Sequence, residues 1–191
     1  MPTEEANKVI ARRFYEELWN QGNVVVADEV LAANHVDHNP PIPEAGTGRE
    51  AAVKLMQTFK RAFPDFHITI DELIASDDRV IERFTFRGTH QGEMLGVAPT
   101  GKRVEATAIS ICRIDEDGRV AERWGVTDGV AMLTQLGMLP EPGSAGWHRL
   151  VRLANANTRV RTSRTSRRAL PAAAAVGGLV AAGALLLRKR S

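Results

Sequence analysis

Residues 66–128 read FHITIDELIASDDRVIERFTFRGTHQGEMLGVAPTGKRVEATAISICRIDEDGRVAERWGVTD, and this stretch decides the fold. It contains four segments rich in Val, Ile, Phe and Thr, separated by turn residues, at 66–75, 79–89, 102–114 and 119–128. The Asp117-Gly118 pair between the last two segments is a strong hairpin signal. Because no helical pattern intervenes, the four strands are expected to form an antiparallel, meander-like sheet.

The residues before this stretch have helical spacing. A first helix carries Ile10, Phe14 and Leu18 on one face, a shorter helical run covers about residues 25–33, and a third helix covers 48–63. Helices followed by strands are typical of an α+β fold. The chain is therefore expected to pack its N-terminal helices on one face of a curved antiparallel sheet.

Charge is distributed unevenly along the 191 residues. Residues 1–144 carry 15 basic and 23 acidic residues, whereas residues 145–191 carry ten basic residues and no acidic one. The net charge of +2 therefore comes from the tail. No nucleic-acid partner is predicted, because no aromatic residues are interleaved with the arginines. The composition, 43% hydrophobic and 25% charged, excludes collagen, a disulfide scaffold and a wholly disordered chain.

These boundaries divide the chain into a domain over 1–144, a basic linker over 145–168 and an uncharged segment over 169–187. As a helix, the 19 residues of 169–187 would be about 28 Å long, enough to cross a membrane. A membrane anchor is predicted there. A helix lying on the membrane or on a partner protein, and a soluble extension, are the alternatives. Since the N-terminus carries no secretory signal, the domain is expected in the cytoplasm.

The segment 119–128 holds the first candidates for chemistry. Strand alternation places on one face Val120, Glu122, Trp124, Val126 and Asp128. Two carboxylates among large apolar groups indicate a cavity wall, where desolvation suits a carboxylate to acid–base catalysis. Asp128 also begins the short closing helix predicted over 128–136, where it would be a good N-cap. The two roles are compatible.

Histidines supply the other candidates. Phe84, Phe86 and His90 share one parity of the second strand, so they are expected to face the same cavity. His38 and His90 could each donate a hydrogen bond to a substrate oxygen or move a proton, or simply bond a nearby carbonyl. The run His35-Val-Asp-His38 lacks the spacing of a metal site, and no metal is predicted. Neither a phosphate-binding loop nor a nucleophile elbow is found, and no cofactor is expected.

Several short motifs carry a family resemblance. In chain order they are Trp19-Asn-Gln-Gly-Asn23, Phe63-Pro-Asp-Phe66, Gly88-Thr-His-Gln-Gly92, Pro99-Thr-Gly-Lys102, Glu122-Arg-Trp-Gly-Val-Thr-Asp128 and Gln135-Leu-Gly137. Over about residues 5–140 the chain resembles the SnoaL-like polyketide cyclases, also called ester cyclases. This family belongs to the cone-shaped α+β superfamily of nuclear transport factor two and ketosteroid isomerase. The tail has no counterpart in the resemblance.

The resemblance implies a cofactor-free intramolecular aldol ring closure of a small, apolar ketide-like or ester substrate. Asp128 matches the family's catalytic acid–base, and His90 is expected to assist it. His38, Trp124 and Tyr15 match positions that line the family's pocket, to which the alternation adds Glu122, Phe84 and Phe86. Two alternatives stay open: a non-catalytic module that binds an apolar ligand at the membrane, and an isomerase or hydrolase on the same fold. An open sheet face is also compatible with a homodimer.

Overall fold

A computed structural model of the chain describes residues 2–42, 46–94 and 96–162. Its helices are α1 (Glu4–Arg13, continued by a π-helical stretch, Phe14–Asn20), α2 (Ala27–Val30, preceded by a 3-10 turn, Val24–Val26), α3 (Arg49–Ala62), α4 (Gly129–Gln135) and α5 (Ala145–Thr162). Its strands are β1 (Leu31–Asp37), β2 (His67–Ser76), β3 (Arg79–Thr89), β4 (Arg103–Ile114) and β5 (Val120–Thr127). The first compact unit is Met1–Met132, and a second begins at Leu133.

Five strands form one mixed sheet in the order β1-β5-β4-β3-β2. The antiparallel meander of β2 to β5 confirms the predicted α+β class, and each strand begins and ends within two residues of its predicted bounds. The expectation of a purely antiparallel sheet is wrong, because β1 pairs in parallel with β5. The helical run predicted up to residue 33 is also wrong in its second part, since the chain is extended from Leu31. Strand β1 is stabilised by pairing with a strand almost 90 residues away, which local periodicity does not register.

The core lies between α1 and the inner face of the sheet. Thr3 caps α1 by accepting a hydrogen bond from the backbone N–H of Ala6 at 3.2 Å. The π-helical continuation buries Phe14, Tyr15 and Leu18. The Tyr15 ring lies 5.0 Å from that of Phe14 and 4.8 Å from that of Phe84 on β3. Aromatic packing therefore holds the N-terminal helix against the strands.

Two of the sequence motifs are structural. The Asp65 carboxylate accepts hydrogen bonds from the Thr89 backbone N–H at 2.6 Å and from the Thr89 hydroxyl at 2.7 Å. The backbone N–H of Gly92 donates to the Ala62 carbonyl at 3.0 Å. A Cβ at Gly92 would lie 2.0 Å from the Arg61 carbonyl oxygen, so only glycine allows this close approach. The motifs at 63–66 and 88–92 thus join the end of α3 to the end of β3.

A β-bulge in β5 reverses the alternation on which the predicted cavity wall depends. Val120 pairs with Ile114, but Glu122 pairs with Arg113, so Ala121 is an extra residue in the ladder. Val120 therefore points to the inner face, and Arg123 does so as well, beside Cys112. Residues 122, 124 and 126 consequently lie on the outer face. Their predicted place on a cavity wall is wrong.

The second unit contains the helix α5, which covers the first part of the predicted basic linker. No helix among residues 2–42, 46–94 and 96–162 combines the length and the apolar character that crossing a membrane requires. The membrane-anchoring helix predicted over 169–187 lies outside the described residues. The anchor therefore stays a prediction, as do the cytoplasmic location and the domain boundary at residue 144.

Candidate active site

Three of the predicted pocket residues meet on the outer face of the sheet. His38 bonds through Nε2 to the Glu122 carboxylate at 2.8 Å, and its ring stacks on Trp124 with centroids 4.4 Å apart. Arg113 donates to the other Glu122 oxygen at 2.7 Å. The hydrogen bonds from His38 and Arg113 lower the pKa of Glu122. This cluster satisfies its own charges, and its residues are absent from the wall of the cavity described below.

The outer face also exposes apolar side chains. Ile109 is 54% exposed and Val126 is 74% exposed, and the two residues pair across β4 and β5. This is the open face that a homodimer would use. The homodimer stays a prediction.

Asp128 lies at the end of β5 with its side chain exposed. Its Oδ1 accepts a hydrogen bond from the backbone N–H of Ala131 at 2.9 Å, so the carboxylate is the N-cap of α4. The expectation that Asp128 lines an apolar cavity is wrong in this structure, because β5 ends before it and the carboxylate turns to the helix. Its catalytic role, expected from the resemblance, stays a prediction.

Tyr15 belongs to a buried polar network that the sequence did not predict. The Glu82 side chain is fully buried, and its Oε2 accepts hydrogen bonds from the Tyr15 hydroxyl at 2.8 Å and from the Ser110 hydroxyl at 2.5 Å. The Cys112 thiol lies 3.5 Å from the same oxygen. Burial raises the pKa of Glu82, although the bonds to Ser110 and Tyr15 oppose the shift. Glu82 lies on the inward-facing parity of β3, where an apolar residue is usual. A polar residue at such a position is the sequence signal that could identify it.

The predicted site residues Phe84 and Phe86 on β3, and His90 just after β3, are also buried. Phe84 and Phe86 are core residues, as their parity predicts, but they pack against other aromatic rings. His90 is fully buried against Phe63, and its Nδ1 accepts a hydrogen bond from the backbone N–H of Thr100 at 3.2 Å. The proton of its neutral ring therefore lies on Nε2, which is buried without a partner among the described residues. Burial lowers the pKa of His90.

A cavity does exist in the first unit, but other residues line it. It lies between the π-helical stretch, β1, α3 and β5, is partly open to solvent, and has a volume of about 20 Å³, room for roughly one water. Its apolar wall is formed mainly by Phe14, Trp19, Pro40, Ala51, Ala52 and Leu55. Its polar side chains include His35, Asp37 and Arg123. None of the eight predicted site residues lies on this wall.

Arg123 and Asp37 form a largely buried ion pair on the cavity wall. Arg123 Nη1 donates to Asp37 Oδ2 at 2.9 Å, and the two side chains are only 14% and 16% exposed. Asp37 Oδ1 accepts a further bond from the Asn39 backbone N–H at 3.0 Å. The guanidinium lies over Gly125, where a Cβ would come within 2.7 Å of Nη2. Because Gly125 has no Cβ, the Arg123 guanidinium can lie against it.

His35 is the titratable group on the wall that is free of an ion pair. It is buried, and its Nδ1 lies 3.0 Å from the Val120 carbonyl oxygen. Because a carbonyl can only accept, Nδ1 carries the proton, and Nε2 retains its lone pair. Burial lowers the pKa of His35, so the ring is neutral at pH 7. The result is a neutral imidazole base in a mainly apolar cavity.

The sequence signal for these residues was present but incomplete. The sequence suggests His35 only as a metal ligand, and strand alternation over 119–128 places Arg123 on the face opposite to Glu122 and Trp124. Polar residues on an inward parity are the signal that would have found Glu82 and Arg123. Reading that parity in β5 requires knowledge of the bulge at Ala121. Among the described residues, no three His, Cys, Asp or Glu side chains cluster as they would around a metal ion.

Comparisons with known proteins agree with this architecture. Residues 9–136 match the family model described as SnoaL-like polyketide cyclase. IdmH from Streptomyces antibioticus, assigned as a polyketide cyclase, is 32% identical with a TM-score of 0.60, and the match covers 69% of this chain and 98% of that one. AclR from Streptomyces galilaeus, assigned as a hydroxylase, is 30% identical with a TM-score of 0.60, covering 72% of this chain and 100% of that one.

A third solved structure is similar in fold alone. TsrD from Streptomyces laurentii is 24% identical with a TM-score of 0.65, and the match covers 72% of this chain and 98% of that one. No curated protein sequence matches the chain. Residues after 136 lie beyond the family match.

Proposed function

Because the chain belongs to the SnoaL-like polyketide cyclase family, we propose that it closes a ring in a small ketide-like substrate by acid–base catalysis. A base removes a proton from a carbon between two carbonyls, and the enolate carbon attacks a further carbonyl of the same molecule. The new alkoxide then takes up the proton. Substrate and product contain the same atoms, so the reaction needs neither a redox partner nor a second substrate.

One observation supports this function best: His35, a neutral imidazole, is one of the residues that line a mainly apolar cavity. A base in such a place does not have to lose a proton before it acts. A carbon flanked by carbonyls is already acidic, so one positioned base supplies much of the catalysis. His35 Nε2 is the atom that we propose takes the proton and returns it to the alkoxide.

Asp128 is the second candidate for the base, on the ground of the family resemblance. Its carboxylate is exposed and its Oδ1 is occupied by the helix cap, which weigh against it. Oδ2 is not engaged by that bond. The two candidates make different predictions for single substitutions, and one experiment separates them.

The cavity wall indicates the kind of substrate. Phe14, Trp19 and Leu55 would contact an apolar body, and the polar groups would contact its oxygens. The cavity volume of about 20 Å³ holds a water-sized group, so one small group of the substrate enters it and the rest of the substrate lies at its opening.

The test is deuterium exchange into a panel of β-keto esters in deuterated water, with the full-length chain as catalyst. His35→Asn keeps a donor for the Val120 carbonyl but lacks the base. Asp128→Asn keeps a good helix cap but lacks the carboxylate. His38→Asn on the outer face is the matched control.

We expect the rate of deuterium exchange to fall about 100-fold or more in His35→Asn and to stay at the wild-type level in the other two variants. Loss in Asp128→Asn alone would identify that residue as the base and refute the role of His35. Absence of exchange in the wild type would count against the proposed catalysis and favour a ligand-binding module.

We also propose that residues 169–187 anchor the chain in a membrane, on the basis of their uncharged sequence. A charge in the middle of a membrane-spanning helix costs about 2.5 to 3.5 kcal/mol on insertion scales. Leu179→Lys should therefore move the full-length chain from the membrane fraction to the supernatant, whereas Leu179→Ile should not. A wild-type chain found only in the supernatant would refute the anchor.

A further inference from the structure

Two hydrogen-bond donors on the cavity wall have no acceptor. Trp19 Nε1 and Arg123 Nε are both buried, and neither has a partner among the described residues. Both residues line the same small cavity. Buried N–H groups are almost always paired, so two unpaired donors at one cavity require an explanation.

The carboxylate on the wall already accepts two hydrogen bonds. Asp37 uses Oδ2 for Arg123 Nη1 and Oδ1 for the Asn39 backbone N–H. Neither Trp19 Nε1 nor Arg123 Nε lies within bonding distance of an acceptor among the described residues. The acceptor that we infer for the two donors is an oxygen atom of a water or of a ligand in the cavity.

Both donors are fixed in place before any ligand binds. The Trp19 ring lies 5.8 Å from the rings of both Phe59 and Phe66, which hold it by edge and tilted contacts. The Arg123 guanidinium is held by Asp37 on one side and lies over Gly125 on the other. Preorganised donors of this kind stabilise negative charge that develops during a reaction.

We propose that Trp19 Nε1 and Arg123 Nε form an oxyanion site that binds one carbonyl oxygen of the substrate and stabilises it as an enolate oxygen. The inference rests on the proposed function for the identity of the oxygen. Both residues lie within motifs of the family resemblance, at 19–23 and 122–128, but the resemblance gives neither of them a role. The cavity, about one water in size, suits a single oxygen atom.

The position of the site fits the proton transfer. His35 lines the same cavity, so the group that takes the proton and the groups that hold the oxygen face one space. Arginine stays charged at any pH that a protein tolerates, and the enolate oxygen would meet a permanent cation. The substrate class that follows is a 1,3-dicarbonyl compound that binds through one of its oxygens.

The test uses pentane-2,4-dione as the probe and the full-length chain. Its enolate absorbs in the ultraviolet, so the fraction of bound enolate can be followed against pH. The chain should shift the probe towards its enolate at a fixed pH. Trp19→Phe keeps the ring and removes only the N–H, and Trp124→Phe on the outer face is the matched control.

We expect Trp19→Phe to reduce the enolate affinity at least about tenfold, with little change in binding of the neutral ketone, and Trp124→Phe to have no such effect. Arg123→Lys should reduce it further, and circular dichroism would check that this variant folds. Equal enolate binding by Trp19→Phe and the wild type would overturn the proposal, as would a wild type that does not favour the enolate.

This readout separates the oxyanion site from the proposed function. Enolate binding without deuterium exchange would leave the oxyanion site in place and refute the catalysis. Exchange that is insensitive to Trp19→Phe would leave the catalysis in place and refute the oxyanion site.

Discussion

Replacing Gly125 by alanine tests how much the largely buried ion pair of Arg123 and Asp37 contributes to stability. In Gly125→Ala, the new Cβ would lie 2.7 Å from Arg123 Nη2, 2.8 Å from Nη1 and 2.9 Å from Cζ. Ordinary van der Waals contacts begin at 3.4 Å, so the guanidinium must shift by roughly 0.7 Å. A shift of that size would distort the 2.9 Å hydrogen bond from Nη1 to Asp37 Oδ2 out of its present geometry.

The expected change in stability follows from two opposing contributions. Losing a charge-assisted hydrogen bond costs about 1.5 to 3 kcal/mol, and this pair is largely buried. Replacing glycine by alanine in a strand returns about 0.5 to 1 kcal/mol. We therefore expect a net destabilisation of about 1 to 2 kcal/mol, whereas strand propensity alone predicts a gain.

Urea unfolding followed by circular dichroism measures the difference. With a slope of about 2 kcal/mol per molar urea, the midpoint should fall by about 0.5 to 1 M. Gly129→Ala is the matched control, because its Cβ would have no neighbour within 4 Å, and its midpoint should not fall. In an Arg123→Met background the Gly125→Ala substitution should cost less, as a double-mutant cycle would show. A Gly125→Ala chain at least as stable as the wild type would refute the reasoning.

Three further predictions concern titratable groups. The raised pKa of buried Glu82 means that the folded state keeps a proton that the unfolded state loses above about pH 4.5, so the stability of the wild type relative to Glu82→Gln should fall as the pH rises from 4 to 8. Urea midpoints across that range check the slope, with exposed Glu72→Gln as control; a parallel pH dependence would contradict it. The lowered pKa of His35 means that the folded state binds fewer protons than the unfolded state. Only below about pH 6.5 should the wild type lose stability relative to His35→Asn, as measured by urea midpoints. The wild-type rate of deuterium exchange should also slow only below about pH 6.5. An exchange rate that falls above pH 7 would exclude His35 as the base. Asp128→Ala should cost about 1 kcal/mol through the lost helix cap, whereas Asp128→Asn should cost almost nothing in the same urea assay. Equal losses would show that the carboxylate does more than cap.

Several features could be predicted because they depend on neighbours along the chain. The four strands β2 to β5 follow from runs of Val, Ile, Phe and Thr between turn residues, and the bounds agree with the structure. The helical spacing around Phe14 likewise predicts the first helix, although its continuation as a π-helix has no sequence signal. Sequence analysis predicts two roles for Asp128, and the N-cap role is confirmed. This role also depends only on neighbours along the chain, because the bonded Ala131 is three residues away.

The cavity depended on contacts that are distant in sequence. Strand β1 exists because Leu31 pairs with Val120, and that pairing also brings Asp37 to Arg123. The single extra residue in β5 decides which side chains face inward, since alternation has a period of two and one residue reverses it. His35 on β1 and Trp19 in the π-helical stretch line the same cavity only in the folded chain.

The sequence alone determined the α+β class, the antiparallel meander and the family, because periodicity and short motifs are local properties that a chain carries in any conformation. Tertiary structure alone decided which side of β5 is buried and which groups share a cavity. In the tertiary structure the residues that line the cavity are His35, Arg123 and Trp19, and not Glu122, Trp124 and Asp128. The physical reason is that a buried charge needs its partner within about 3 Å, and only the folded chain brings Asp37 to Arg123.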